Sequence, residues 1–290
     1  MKILISDAFD SSLPDRLRTF GEVTEDTAQL PSCDVVLIRS KTKCTKEYID
    51  SAPKLKLIIR GGVGLDNVDL EYAKEKGITV HNTPDASSVA VAELAFALMI
   101  AVPNQLIKAH NGMAKGDWLK KECKRTELLG KTLGLIGIGR IATEVAKRAK
   151  AFGMDVIAFD KYVSKSDYAE MMELDDVLAK ADYLSLHVPF TPETKELIRK
   201  ETISRMKDGA VIVNTGRGKC INEADLVSAL ESGKIAAYAT DVYYSDPPAD
   251  DCPILKAPNV LMTPHIGASS KENLLRIGDT VVEIISKFKI

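Results

Sequence analysis

The stretch from Gly130 to Asp160 restricts the fold more than any other part of this chain. Leu133 to Ile136 form a short apolar run, suited to a strand buried on both faces. Gly137 and Gly139 follow at once, with Ala142 where a third glycine would stand. A helical period begins there: Ile141, Val145, Ala146 and Ala149 share one face, and Lys147, Arg148 and Lys150 take the other. Gly153 closes the helix, and a second apolar strand, Val156 to Phe159, runs into Asp160. Strand, glycine turn, helix, strand and terminal acid in this order make a dinucleotide-binding βαβ unit. Gly137 allows the tight turn, Gly139 lets backbone approach a pyrophosphate, and Ala142 lets helix and strand pack closely. The helix start offers unpaired N–H groups and a positive dipole end to the phosphates. The Asp160 carboxylate can accept hydrogen bonds from a ribose and would repel a 2′-phosphate, so the expected cofactor is NAD rather than NADP.

Around this unit the chain alternates strands and helices, the pattern of parallel sheets. Strands are expected at 2–6, 34–39, 56–59 and 78–80, with helices at 12–20, 46–51 and 69–76. A long apolar helix follows from Ser87 to His110, bent near Pro103. It carries more apolar surface than one exposed face justifies, so it reads as interdomain core or subunit interface. After Asp160, strands are expected at 183–186, 210–213, 235–239 and 260–262, and helices at 222–231 and 270–288. Polar residues recur where these strands end: His187, Asn214 to Gly218, Asp241 and His265. In open α/β sheets the carboxyl edge is where ligands bind.

Composition excludes several classes of function. A formal charge of −2 gives no reason to expect nucleic acid or an anionic membrane as partner. The five cysteines are scattered, with no C-x-x-C pair and no His/Cys cluster at metal-ligand spacing, so neither a disulfide framework nor a metal site is expected. The chain opens into a strand without a signal-peptide pattern, and its longest apolar run, Val89 to Val102, is interrupted by Glu93. The expected location is cytoplasmic.

At Gly137 to Ala142, Asn214 to Gly218 and Thr263 to Gly267 the chain resembles the D-isomer-specific 2-hydroxyacid dehydrogenases. Arg39-Ser40, Gly64 to Asp69 and Asn82-Thr83-Pro84 match the branch that oxidises 3-phosphoglycerate, in its short form without a serine-binding regulatory domain. The resemblance implies two doubly wound parallel-sheet domains, a Rossmann NAD-binding domain (96–267) inserted into a flavodoxin-like substrate domain (1–95 and 268–290). It also implies a homodimer formed through the nucleotide domains, which would give the apolar helix near Val89 its partner.

Oxidising a 2-hydroxy acid removes a proton from the hydroxyl and a hydride from C2. Position in the family pattern assigns His265 as the base and Arg217 as the clamp for carboxylate and carbonyl. The family's glutamate before a proline, paired with the histidine, is Asp246 here, one methylene shorter. The resemblance adds cofactor contacts at Arg140, Ile141, Val188, Thr215, Gly216, Gly267 and Ala268, and sets Asp241 facing the nicotinamide carboxamide. For substrate it implies Val63 and Gly64 at the carboxylate and Arg39 and Lys120 at a phosphate. Two other readings are a glyoxylate or hydroxypyruvate reductase, which needs no phosphate site, and an NADH-sensing corepressor-like binding protein. The set Arg217, Asp246 and His265 favours an enzyme over the latter.

Overall fold

A computed structural model describes residues 1–288; Lys289 and Ile290, the end of the expected substrate domain, lie outside the described residues. In chain order the elements are β1 (Lys2–Ile5), α1 (Leu13–Leu17), β2 (Glu22–Thr24), β3 (Val35–Ile38), α2 (Lys46–Asp50), β4 (Leu57–Arg60), α3 (Leu70–Glu75), β5 (Thr79–Asn82), α4 (Ser88–Ala101) and α5 (Leu106–Lys115). They continue with β6 (Thr132–Ile136), α6 (Arg140–Ala151), β7 (Asp155–Phe159), β8 (Glu170–Met171), α7 (Leu174–Lys180), β9 (Tyr183–Leu186), α8 (Lys200–Arg205), β10 (Ala210–Asn214), α9 (Glu223–Glu231), β11 (Ile235–Thr240), β12 (Val260–Met262) and α10 (Lys271–Lys287). The chain divides into two compact units, one from residues 1–90 and from 268 onward, the other Val91–Gly267.

The first unit is built on a parallel five-stranded sheet in the order β2-β1-β3-β4-β5. This is the doubly wound order with its reversal between β1 and β3. Alternate side chains go to opposite faces. Leu4, Val36, Ile38 and Ile58 enter one core with Ile49, Ala73 and Ile78. Ile3, Ile5, Val35, Leu37, Leu57 and Ile59 enter the other with Leu13, Leu17 and, from α10, Ile277, Val281 and Ile285. Burial on both faces is why these strands read as continuous apolar runs.

The second unit carries a parallel seven-stranded sheet in the order β12-β11-β10-β9-β6-β7-β8. Along β10, Val211 and Val213 join one core, and Ala210 and Ile212 the other. The order reverses between β6 and β9, which places a crevice at the carboxyl ends of these two strands.

The expected helix from Ser87 to His110 is two helices, α4 and α5, set at 64° across the break at 102–105. Pro103 cannot donate a helical hydrogen bond, and Gln105 adopts φ +50°, so the break is complete rather than a bend. Ala92, Ala95, Phe96, Leu98 and Met99 of α4 are buried with β6, β10 and β11, so most of the apolar surface of α4 is used inside its own unit. No single helix among the described residues is long and apolar enough to cross a membrane.

Candidate functional site

The carboxyl edge of the seven-stranded sheet carries Gly137, Asp160, Val188, Thr215, Gly216 and Asp241 just past the ends of β6, β7, β9, β10 and β11, with Arg140 and Ile141 in the first turn of α6; Ala268 belongs to the first unit. Gly137 takes φ +88°, and a Cβ there would sit 2.7 Å from the His187 carbonyl oxygen, so only glycine fits between the ends of β6 and β9. Gly139 caps α6 with no side chain over its first turn, and a Cβ at Gly139 would meet open space. The Asp160 carboxylate accepts from Ile138 N at 2.9 Å on one oxygen and from Tyr162 N and Val163 N at 2.8 and 3.0 Å on the other. It therefore braces the glycine turn and keeps one acceptor position for a ribose hydroxyl. Gly216 packs against the carbonyls of Leu186 and Val188, and the buried Thr215 hydroxyl beside it has no protein partner. An open helix start, a glycine-only turn and an orphaned hydroxyl on the same sheet edge fit a dinucleotide.

Arg217 follows directly. Asn214, fully buried at the end of β10, accepts from Gly216 N at 3.0 Å and donates to the Arg217 carbonyl at 3.0 Å. This side chain holds the Arg217 loop in a turn from inside. The Arg217 guanidinium itself donates to the Gly216 carbonyl at 2.8 Å. Behind it Gly218 lies so close to Tyr243 that a Cβ would come within 2.1 Å of the Tyr243 carbonyl. The Arg217 loop and the loop after β11 are thus in direct contact.

That second loop carries Asp246, whose carboxylate is hydrogen-bonded to Nδ1 of His265. The pair is partly exposed, at 30% for His265 and 35% for Asp246. With Nδ1 committed to Asp246, Nε2 is the nitrogen left to exchange a proton with a ligand. The shorter side chain therefore reaches the histidine directly. His265 holds φ +53°, a left-handed conformation uncommon outside glycine, and the turn is constrained from outside. Asp241, 1% exposed, supplies the constraint. One of its oxygens accepts from Thr263 Oγ1 at 2.6 Å and Ile266 N at 2.8 Å, and the other from Gly267 N at 2.7 Å. The sequence offered Asp241 only as a cofactor contact; its bracing of the His265 loop is visible in the structure alone.

His187 sits beside the glycine turn with Nε2 2.9 Å from Ser185 Oγ, and burial pushes its pKa down to about 4 from the ordinary 6.5. The unfolded chain takes up this proton below 6.5 and the folded chain only near 4, so the stability it contributes is complete above 6.5 and is lost as pH falls toward 4. At about 1.4 kcal/mol per pKa unit this amounts to about 3 kcal/mol. Urea unfolding at pH 7.5 and pH 4.5 is expected to show His187→Gln losing about 2–3 kcal/mol less than the parent protein between the two. Equal losses would remove His187 as the source.

In the first unit the residues expected to meet substrate lie at the carboxyl ends of β3 and β4. Asp7, just past β1, accepts from Arg39 N at 2.5 Å and from Thr42 N and Oγ1 at 3.1 and 2.7 Å. Asn67 donates to the carbonyls of Arg39 and Thr42 at 2.7 Å each. The loop 39–42 is thereby held from both sides. The Arg39 guanidinium donates to Ala268 O at 2.8 Å and Ala8 O at 3.4 Å, while its Nε is buried without a partner. Part of its capacity is thus spent inside this unit. Val63 is exposed, and its carbonyl accepts from Asn82 at 2.5 Å. Gly64 continues the same loop.

Lys120 lies exposed on the arm formed by α5 and residues 117–126. This arm folds back on itself through Gln105 to Lys124 O, Lys108 to Glu122 O and Arg125 to Asn104 Oδ1. A cavity of about 710 Å³ lined by Leu106, Ile107, Lys131, Asp182, Gly209 and Asn259 places the arm at the amino edge of the seven-stranded sheet, opposite Arg217 and His265. Within this unit Lys120 is not brought to them.

Residues 96–267 match the family model described as "D-isomer specific 2-hydroxyacid dehydrogenase, NAD binding domain". The D-3-phosphoglycerate dehydrogenase of Methanocaldococcus jannaschii is 44% identical over 99% of this chain and 57% of its own length. The hydroxypyruvate reductase of Thermotoga maritima is 48% identical over 89% of this chain and 85% of its own. Among solved structures, D-lactate dehydrogenase from Aquifex aeolicus, complexed with NAD and lactic acid, superposes with a TM-score of 0.87 at 31% identity, over 98% of this chain and 94% of that one. The chain spans about half the length of the curated phosphoglycerate dehydrogenases it matches.

Proposed function

We propose that this chain, which belongs to the D-isomer-specific 2-hydroxyacid dehydrogenases, is an NAD-dependent enzyme that oxidises 3-phosphoglycerate to 3-phosphohydroxypyruvate and catalyses the reverse reduction, the entry to serine synthesis. The observation that carries the catalytic part is the Asp246–His265 pair on the sheet edge that also holds Arg217 and the glycine turn. When bound, NAD supplies the hydride acceptor, and Gly137, Gly139 and Asp160 would hold it. His265 takes the hydroxyl proton at Nε2 and keeps its Nδ1 proton, donated to the Asp246 carboxylate, so the imidazolium that forms is paired with a negative charge in place. Arg217 grips the substrate carboxylate and polarises the neighbouring C–O bond. In the reducing direction the same groups act in reverse, with His265 as the acid.

The phosphorylated substrate is supported by the phosphoglycerate dehydrogenases at 40–44% identity and by Arg39 at the end of β3. A second reading is favoured by two observations: Arg39 already donates to two backbone carbonyls, and a hydroxypyruvate reductase shares 48% identity. The deciding measurement is NADH oxidation by the purified chain with 3-phosphohydroxypyruvate, hydroxypyruvate, glyoxylate and pyruvate. The expected result is a preference for the phosphorylated acid, with Arg39→Gln raising its KM about tenfold or more and leaving hydroxypyruvate nearly unchanged. Equal rates, with Arg39→Gln acting alike on all four, would make the chain a general reductase.

The expected partner is a second copy of the chain. Leu106, Ile107, Met113 and Trp118 are each more than half exposed, so α5 and its arm present more open apolar surface than α4, where Val89 is exposed. A cytoplasmic setting suits five free cysteines, four of them buried.

A further inference from the structure

Strands β11 and β12 stop pairing at Thr240 and Met262, and Thr263 N to Thr240 O at 2.9 Å is the last hydrogen bond between their backbones. Beyond that point the two segments must still deliver Asp246 and His265 to each other. The first runs six residues past the sheet, and Tyr244 to Pro247 are exposed. Tyr243 is the last inward-facing side chain before Asp246, and its hydroxyl donates to the Thr263 carbonyl at 2.9 Å. That carbonyl also receives His265 N at 3.0 Å, so the contact falls on the turn that sets the histidine. On its other side the Tyr243 backbone abuts Gly218, which leaves the segment no room to shift toward the Arg217 loop. Beyond it, the Lys219 ammonium stands 5.3 Å from the ring centres of both Tyr244 and Phe190.

We propose that Tyr243 is a positioning residue, whose hydroxyl fixes the Asp246 segment against the His265 turn so that the carboxylate stays on Nδ1. This rests on the reading of Asp246 and His265 as the proton-transfer pair. Burial, and then the carboxylates of Asp241 and Asp246, push the Tyr243 hydroxyl up to about 12, so it stays protonated and donating throughout the working range of the pair.

Tyr243→Phe keeps the ring and removes only the link; Tyr244→Phe removes an exposed hydroxyl one residue along and serves as its control. In NADH oxidation with the preferred 2-oxo acid, Tyr243→Phe is expected to lower kcat roughly tenfold, with KM and NADH affinity unchanged and a larger isotope effect from deuterated NADH. Tyr244→Phe is expected to match the parent. A second readout needs no turnover. Two-bond ¹H–¹⁵N spectra, taken where the imidazoles are neutral, report which ring nitrogen carries the proton, and His265 is assigned among the four histidines by its loss in His265→Asn. The parent should show the Nδ1–H form, and Tyr243→Phe a mixture with Nε2–H. A Tyr243→Phe protein with parental kcat and an unmixed tautomer would overturn the proposal. So would a fall in kcat accompanied by weaker NADH binding and a lower melting midpoint while the tautomer stays parental. If the parent reduces no 2-oxo acid, the dehydrogenase reading fails, and the tautomer spectrum alone decides the role of Tyr243.

Discussion

His265→Asn is expected to lower kcat by a factor of about 10²–10⁴ and leave NADH binding intact. The factor is that of a positioned general acid or base, about 3–5 kcal/mol of transition-state stabilisation. Asparagine is the informative replacement because it tolerates the left-handed conformation that His265 occupies at φ +53°. The Asp241 bonds to Thr263, Ile266 and Gly267 should therefore survive, and the loop with them. Asp246→Asn tests the other half of the pair. An amide at that position can donate to Nδ1, which drives the ring proton to Nε2 and leaves no acceptor for the substrate hydroxyl. Its kcat is expected to lie between those of His265→Asn and the parent. Steady-state rates in both directions, with NADH affinity from fluorescence titration, check both variants. A His265→Asn enzyme within threefold of the parent would show that another group moves the proton.

The fold was legible where one physical signal dominated. Strands buried on both faces read as apolar runs, so β1, β3, β4, β6, β7, β9 and β10 could be placed from sequence. The edge strands β2 and β8 were not, because Glu22 to Thr24 and Glu170 to Met171 are too short and too polar to carry a pattern. Helix α7 carries too weak a pattern for a similar reason: only Val177 and Leu178 of its seven residues are buried. The apolar residues continue across Pro103 and predict only a bend between α4 and α5; the conformation of Gln105 completes the break and leaves no mark in composition. At the site, Gly137 and Asp160 stand out because dinucleotide binding restricts residue type, and Arg217 and His265 because they occupy positions of the family pattern. Asp7, Asp241 and Tyr243 act by holding loops, and a loop-holding side chain looks like any polar residue at a strand end until its partners are known. Nothing in the spacing of Asp246 and His265, nineteen positions apart, shows that an aspartate reaches; the path of the loop does.

Arg217→Lys is expected to lower kcat/KM by about 10²-fold, with both a higher KM and a lower kcat, although the charge is kept. A carboxylate held by two parallel N–H bonds fixes the plane of the substrate, and with it the face of C2 presented for hydride transfer. Lysine offers a point charge on a flexible stem, so the substrate still binds but samples orientations that do not react. The loop itself should be unaffected, because its shape comes from Asn214, which holds Gly216 N and the Arg217 carbonyl through backbone contacts any residue at 217 can make. The second variant therefore separates clamp from scaffold: Asn214→Ala should lower stability as well as activity, since it leaves Gly216 N and the Arg217 carbonyl without those bonds. Arg217→Lys should lower activity alone. Competition by oxamate, which presents the same carboxylate and carbonyl without reacting, reads the clamp directly, and its inhibition constant should rise with the KM. If Arg217→Lys keeps kcat/KM within threefold and binds oxamate as the parent does, the guanidinium serves the Gly216 turn, and the substrate carboxylate must be held elsewhere.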